Sequence, residues 1–202
     1  MAKIYPKKSM NDGYSDEYAS SNREIFTVWM KSLVINSNGC TVFNSEGRIV
    51  FRVDNYETKS SRETLLMNFH GEVLFSIKKI KKLLIFRSWE GHQWINSMLH
   101  KEGIWFGVKK KCKFFGRGLV FCNVILRCKK VTSYLKILGL ERKLALKIMD
   151  CEDRVIAEVI RKQTSSGVSL GEDVLSLVVE PQVDQSLVMS LVLAYAMINN
   201  KL

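Results

Sequence analysis

The stretch 184–199 is apolar on every side: Leu187, Val188, Met189, Leu191, Val192, Leu193, Ala194, Tyr195, Ala196, Met197 and Ile198 are broken only by Ser190. A helix with no polar face has to be enclosed by protein or lipid, and this one falls short of the ~20 apolar residues that cross a bilayer. It is therefore expected inside its own protein. Asp184 is placed to cap it, its carboxylate accepting the free amides of the first turn at the positive end of the helix dipole. Pro181 ends whatever strand precedes it, because proline donates nothing to a sheet ladder.

The enclosing material is β-structure. Alternation and β-branched or aromatic enrichment mark 12 strands, at 25–31, 40–43, 48–54, 63–69, 73–80, 83–89, 104–110, 119–127, 134–138, 143–149, 155–162 and 174–179. In 48–54, Ile49, Phe51 and Val53 oppose Arg48, Arg52 and Asp54, with Val50 the exception. One such face looks into a core and the other out. In 155–162, Val155, Ala157 and Val159 oppose Glu158 and Lys162, while Ile156 and Ile160 make both faces apolar, as suits a strand under the N-terminal arm or a loop. Asn44 to Gly47, and His70 with Gly71, supply tight connections. A helix that follows the Asp184 cap and runs to about Asn199 is roughly 22 Å long at 1.5 Å per residue, the height of a barrel of about seven-residue strands. Eight strands already leave room for little beyond their own side chains, so twelve need a plug. The expected fold is mainly β, a 12-stranded antiparallel barrel enclosing a central hydrophobic C-terminal helix.

At 202 residues and 47% apolar content the chain suits one core. Residues 1–22, rich in Ser, Asn, Asp, Gly and Lys, are expected to form a flexible arm, and 23–202 a single barrel domain. A monomer is expected. The arm has no apolar centre of the secretory type and its charges are mixed, so the expected location is cytoplasmic, with the membrane surface or the nucleus as further places of action. Cys40, Cys112, Cys122, Cys128 and Cys151 are odd in number and hold no C-x-x-C pair, so they are expected to be small buried hydrophobes and not disulfides.

Catalytic signatures are lacking. No H-E-x-x-H, G-x-S-x-G, phosphate-loop or dinucleotide pattern occurs, and the calcium-loop pattern is absent too. His70 falls in a turn, and His92 and His100 are expected in the loop after the sixth strand. The acid pairs Glu152 with Asp153 and Glu172 with Asp173 lie in turn-like sequence, read as solvated carboxylates with a weak cation site as the alternative. Trp89, Trp94 and Trp105 fall within 17 residues around the stretch 90–103 and are expected to pack it on the barrel, with ligand stacking at a barrel mouth as the alternative. No cofactor, metal or enzymatic activity is expected.

Particular residues go further. Thr27-Val28-Trp29-Met30-Lys31-Ser32-Leu33, Gly39, Val42-Phe43, Gly47 and Phe51-Arg52-Val53-Asp54-Asn55-Tyr56 closely resemble the opening of the LURP-one-related family of plants. Leu65-Leu66-Met67, Gly71, Leu74 and Ile77-Lys78-Lys79 continue the likeness, and Val155-Ile156-Ala157-Glu158-Val159, Leu175, Leu177-Val178-Val179-Glu180-Pro181 and Val183-Asp184 close it. The chain departs at Asn68, where an acid is common, and at Ala194-Tyr195-Ala196, which lacks an aspartate often found there. The resemblance implies a fold like the tubby C-terminal domain and the phospholipid scramblases: a 12-stranded barrel around a buried helix. For function it implies tethering to membrane phosphoinositides and a part in plant defence or stress responses.

Charge is the most pointed functional signal. The formal net charge is +11, yet between Lys78 and Lys147 there are 18 Lys and Arg against Glu90, Glu102 and Glu141 alone. The rest of the chain is slightly acidic, so the middle of the chain is expected to face an anionic partner, with a solvated surface that has no partner as the alternative. Lys78, Lys79, Lys81 and Lys82 form one basic segment, and Lys109, Lys110, Lys111, Lys113 and Arg117 a second, with Phe114 and Phe115 beside it as candidates for shallow insertion. These nine cations are the candidate lipid-binding residues. The reading is a non-enzymatic membrane-tethering or signalling protein; the alternatives are a nucleic-acid-associated regulator using the same face and a scramblase-like lipid protein.

Overall fold

A computed structural model describes residues 18–31, 38–55, 63–82, 86–95, 98–99, 103–111, 118–128, 131–140, 143–164 and 166–200, and only the backbone at positions 38, 54, 55, 81, 82, 86, 87, 98, 99, 128 and 131. The strands are β1 (Glu24–Trp29), β2 (Asn38–Phe43), β3 (Ile49–Asn55), β4 (Glu63–Asn68), β5 (Val73–Lys82), β6 (Phe86–Ile95) and β7 (Met98–Leu99). They continue as β8 (Phe106–Lys110), β9 (Leu119–Cys128), β10 (Val131–Leu140), β11 (Leu146–Met149), β12 (Val155–Arg161) and β13 (Val174–Val179), followed by α1 (Gln185–Ile198). Each strand pairs antiparallel with the next, β8 skips the two-residue β7 to pair with β6, and β13 returns to β1. Setting β7 aside leaves 12 strands in a closed ring. The even number lets the closing β13–β1 ladder be antiparallel like the others.

α1 runs through the ring. Leu187, Leu191, Ala194 and Tyr195 are buried, as are the residues between them. The wall turns Val28, Val42, Val53, Ile77, Val108, Val124, Ile137, Ile148 and Val159 toward it, each fully buried. Polar groups of the helix and its cap find partners within the helix and on β10. Asp184 Oδ1 accepts the amides of Ser186 (2.8 Å) and Leu187 (3.0 Å) and the Ser186 hydroxyl (2.6 Å), as an N-cap does. The Ser190 hydroxyl donates to Leu187 O at 2.7 Å, and the Tyr195 hydroxyl to Leu140 O at 2.9 Å. That bond puts the C-terminus of α1 at the end of the barrel where β10 finishes, here called the tail end. The opposite, head end holds the start of the helix. Tyr18 to Asn22 lie there against the barrel: Tyr18 packs on Phe51 (ring centroids 5.6 Å apart), Ala19 bridges to Asp184, and Gln182 N donates to Ser20 O at 2.8 Å.

Three head-end hairpins use one device. Asn44, Asn68 and Asp150 each accept, on the side-chain oxygen, the amide of the residue four positions on: Arg48 (2.9 Å), Glu72 (2.9 Å) and Arg154 (3.0 Å). The fourth residue of each turn takes a positive φ, 77° at Gly47, 86° at Gly71 and 61° at Asp153. Glycine adopts that conformation without strain. Asn68 also donates from Nδ2 to Glu72 Oε2 at 2.7 Å. An aspartate there would face a carboxylate, which accounts for the amide in this chain.

Asp150 is buried. Burial pushes its carboxyl up, but the Arg154 side chain (2.7 Å), the amides of Arg154 and Glu152 and the Arg154 charge together hold it below the usual carboxylate range. A depressed acid stabilises the fold above its unfolded value near 4 and stops doing so as pH falls through the lower folded value. Asp150→Asn is expected to lower stability by on the order of 1 kcal/mol at neutral pH. It should also flatten the acid limb of the stability curve below about pH 4, as read by denaturant melts across pH.

Two expectations are corrected. β6 continues beyond 89 to Ile95, so His92 lies in a strand and not in a loop. The sequence conceals this because Glu90-Gly91-His92-Gln93 is polar and carries a glycine. Gly91 is there for space: a Cβ would stand 2.1 Å from the buried ring of Phe106 opposite it on β8. In β12 the cover expected over both extra isoleucines reaches only Ile156, while Ile160 is exposed.

Candidate functional site

The topology brings the two basic segments to one place. β5 ends and β6 begins at the tail end, where Lys81 stands opposite Arg87, and β8 ends there too, with Lys109 opposite Ser88. Only β6 separates the two lysine-bearing strand ends, a spacing of about 10 Å. The candidate cations 78–82 and 109–111 thus share one rim.

Strand alternation then divides them. Lys79 follows Phe75 and Ile77, and Lys110 follows Phe106 and Val108, so both occupy inward register positions at the mouth of the barrel. The Lys79 ammonium lies 5.8 Å from the ring centroid of Trp89, its cross-strand partner, a cation–π arrangement. Lys110 stands opposite Cys122, whose thiol burial pushes up to about 12 even though the Lys110 charge lowers it. Such a thiol is inert at neutral pH. Lys109 and Lys111 point outward and are exposed, with no carboxylate partner among the described residues. Lys78 also faces out but pairs with Glu63 at 3.2 Å. The side chains of Lys81 and Lys82, and all of Lys113, Arg117, Phe114 and Phe115, lie outside the described residues, as do His100 and Cys112.

Of the candidate tryptophans, Trp94 is half-buried near the end of β6. Trp89 and Trp105 are buried in the core, so neither offers a face to a ligand. His70 sits in the β4–β5 turn with its ring 3.7 Å from that of Phe69. The acid pairs are occupied by cations of their own chain: Asp153 by Lys136 (2.6 Å), Glu152 by Arg154 (3.2 Å), Glu172 by Arg161 (2.7 Å) and Asp173 by Lys31 (3.3 Å). The hydrogen bond from Lys31 holds the Asp173 carboxyl below its ordinary range. Among the described residues no three His, Cys, Asp or Glu stand close enough to hold a metal ion. Cys40 and Cys122 are buried, whereas Cys151 is exposed in the β11–β12 turn, against expectation. A short polar turn has no core in which to place it.

One group of surface residues escaped the sequence reading: Leu119, Phe121 and Leu140, exposed on β9 and β10 beside Lys111. Their only signal was that these strands are apolar on both faces.

Comparison with known proteins agrees with the architecture. A crystal structure of an Arabidopsis thaliana protein has a similar fold, with a TM-score of 0.63 at 15% identity, over 92% of this chain and 96% of that one. In sequence, the chain is 41% identical to Protein LURP-one-related 4 of Arabidopsis thaliana, over 98% of this chain and 87% of that protein. It is 38% identical to Protein LURP-one-related 11 of the same plant, over 98% and 89%. The family model for LURP-one-related proteins matches residues 24–196, from the start of β1 almost to the end of α1. With wall and plug both inside that match, the chain belongs to the LURP-one-related family.

Proposed function

We propose that this protein is a non-enzymatic barrel that docks on anionic membrane, phosphoinositide-bearing membrane included, through the tail-end rim of β5, β6 and β8. Any part in defence or stress signalling is then exercised from that surface. The observation that supports this reading is the meeting of two sequence-distant lysine segments across one strand, in a stretch from Gly103 to Met149 whose only acid is Glu141. Each cation near an anionic bilayer contributes on the order of 1 kcal/mol, so Lys109, Lys111 and one neighbour suffice for a roughly hundredfold preference over a neutral surface. The attraction is screened over about 8 Å at physiological salt.

Co-sedimentation of the full chain with neutral vesicles, vesicles containing phosphatidylserine and vesicles containing phosphoinositide tests this. Binding to the anionic vesicles, weakening steeply with added salt, is expected. Equal and negligible binding to all three at physiological salt rejects it. Tight, salt-dependent binding to duplex DNA that is lost on changing Lys109, Lys110 and Lys111 to Glu is the result that would favour the nucleic-acid alternative. The scramblase-like alternative needs α1 to leave the barrel and cross the bilayer. At 14 residues, roughly 21 Å, it is too short for a core of about 30 Å, and among the described residues no helix is long and apolar enough to cross.

A further inference from the structure

β9 and β10 are greasy on the side that faces away from the core. Inward, Val120, Cys122, Val124, Leu135 and Ile137 are buried against the helix side of the barrel. Outward, at the tail end, Leu119 stands opposite Leu140 and Phe121 opposite Leu138. Leu119 is 39% exposed, Leu140 40% and Phe121 48%. Directly opposed side chains sit about 5 Å apart and the next pair along lies about 7 Å away. The four therefore form one continuous block, unlike the single exposed apolar residues that any surface carries.

The surroundings of the block say what it meets. Lys111 N donates to Phe121 O at 2.8 Å, so Lys111 borders the block on the β8 side, with Lys109 beyond it opposite Asn123. On the other side Lys147 stands opposite Leu138 and pairs with Glu158 at 3.3 Å, and Lys136, opposite Asn123 on β9, pairs with Asp153 at 2.6 Å. Lys143 is exposed just past Leu140. No acid occurs on β8, β9, β10 or β11. Pairing this face with a second copy of itself would bring two sets of Lys109, Lys111 and Lys143 into one desolvated interface, which like-charge repulsion opposes. An apolar centre with a cationic border matches instead the layering of an anionic bilayer, hydrocarbon beneath a negative head-group plane.

We propose that Leu119, Phe121, Leu138 and Leu140 insert at the head-group boundary of an anionic membrane while Lys109, Lys111 and Lys143 bind the head groups above them, so that the barrel docks with β8–β10 against the bilayer. This rests on the membrane reading and adds to it an orientation and a salt-resistant component, since apolar burial is not screened.

The test is the triple variant Leu119→Ser, Phe121→Ser, Leu140→Ser, which keeps the net charge and changes only exposed positions; an unchanged thermal melt verifies its fold. Its partition into phosphatidylserine vesicles is expected to fall roughly tenfold or more, with the fraction bound at high salt lost first. In parallel, Phe121→Trp is expected to add, over the fluorescence of Trp29, Trp89, Trp94 and Trp105, a component that brominated lipid quenches. If the unsubstituted protein binds no anionic vesicle, the membrane reading itself fails. If it binds and the triple variant binds equally, with the fluorescence added by Phe121→Trp unquenched, the orientation proposed here is wrong although the basic rim stands. Self-association of the unsubstituted protein in light scattering, absent in the triple variant, would also overturn the proposal and assign the block to a second copy.

Discussion

Leu191→Asp is expected to leave the protein unfolded at room temperature. Leu191 is fully buried at the middle of α1, with wall on every side. Losing its packing costs about 2–5 kcal/mol, and a carboxylate with no partner at that depth costs several more. The sum reaches the 5–15 kcal/mol that holds a domain together. Circular dichroism should show loss of the β signal and a collapsed melting transition. Leu191→Ala, which carries only the packing loss, should fold with a lowered Tm. Native-like dispersion and melting in the aspartate variant would mean that the helix does not lie inside the ring.

Gly139→Val is expected to be nearly as damaging although it adds apolar bulk to an apolar interior. A Cβ at Gly139 would stand 2.3 Å from the Tyr195 oxygen, 2.6 Å from its ring and 2.9 Å from the backbone oxygen of Ala145. That oxygen accepts the Leu140 amide, and the Tyr195 hydroxyl donates to Leu140 O. The substitution therefore forces either the helix or the β10–β11 ladder to move and disturbs the part-buried hydrogen bond from Tyr195 to Leu140. Overpacking of about 1–3 kcal/mol adds to the 1–3 kcal/mol of an unsatisfied buried polar group. A double-mutant cycle isolates the contact. Tyr195→Leu alone should destabilise, and in that background Gly139→Val should cost much less, because the ring that blocks it is gone. Additive effects in chemical denaturation would contradict the seat described for Tyr195.

The same contact explains what was legible from the chain alone. The helix, its cap at Asp184 and its enclosure followed from an uninterrupted apolar run, because a missing polar face excludes every surface position. The 12 long strands were each recognisable. Their ends were less so: β10 extends to Leu140 because its neighbour β9 continues alongside it, a tertiary pairing with no local trace. Likewise, nothing in the spacing of Gly139 and Tyr195 announces that one makes room for the other across 56 positions of sequence. Gly91 hid the second half of β6 for a related reason, since a glycine chosen for close approach reads locally as a turn.

The candidate site was legible in type but not in geometry. The lysines declared themselves by count. Their division into outward Lys109 and Lys111 and mouth-facing Lys79 and Lys110 depends on strand register, in which a shift of one residue exchanges the two faces. The pairing of Lys78 with Glu63 depends on β4 lying beside β5. Leu119, Phe121 and Leu140 were passed over because an apolar residue in an apolar strand looks like core until the partner strand shows which face it occupies.

Position, and not overall charge, is what the account requires of the basic residues, and a matched pair of charge reversals tests this most directly. Changing Lys109, Lys111 and Lys143 to Glu takes the formal net charge from +11 to +5, each reversal removing two units, and so does changing Arg23, Arg48 and Arg161 on the β12–β3 side of the barrel. Those arginines sit in exposed pairs with Glu180, Glu46 and Glu172, which contribute little to stability. Vesicle flotation at physiological salt should show the first variant released from phosphatidylserine membranes and the second still bound. Equal loss in both would mean that net charge alone holds the protein to the membrane, and retention of the first would contradict the docking surface outright.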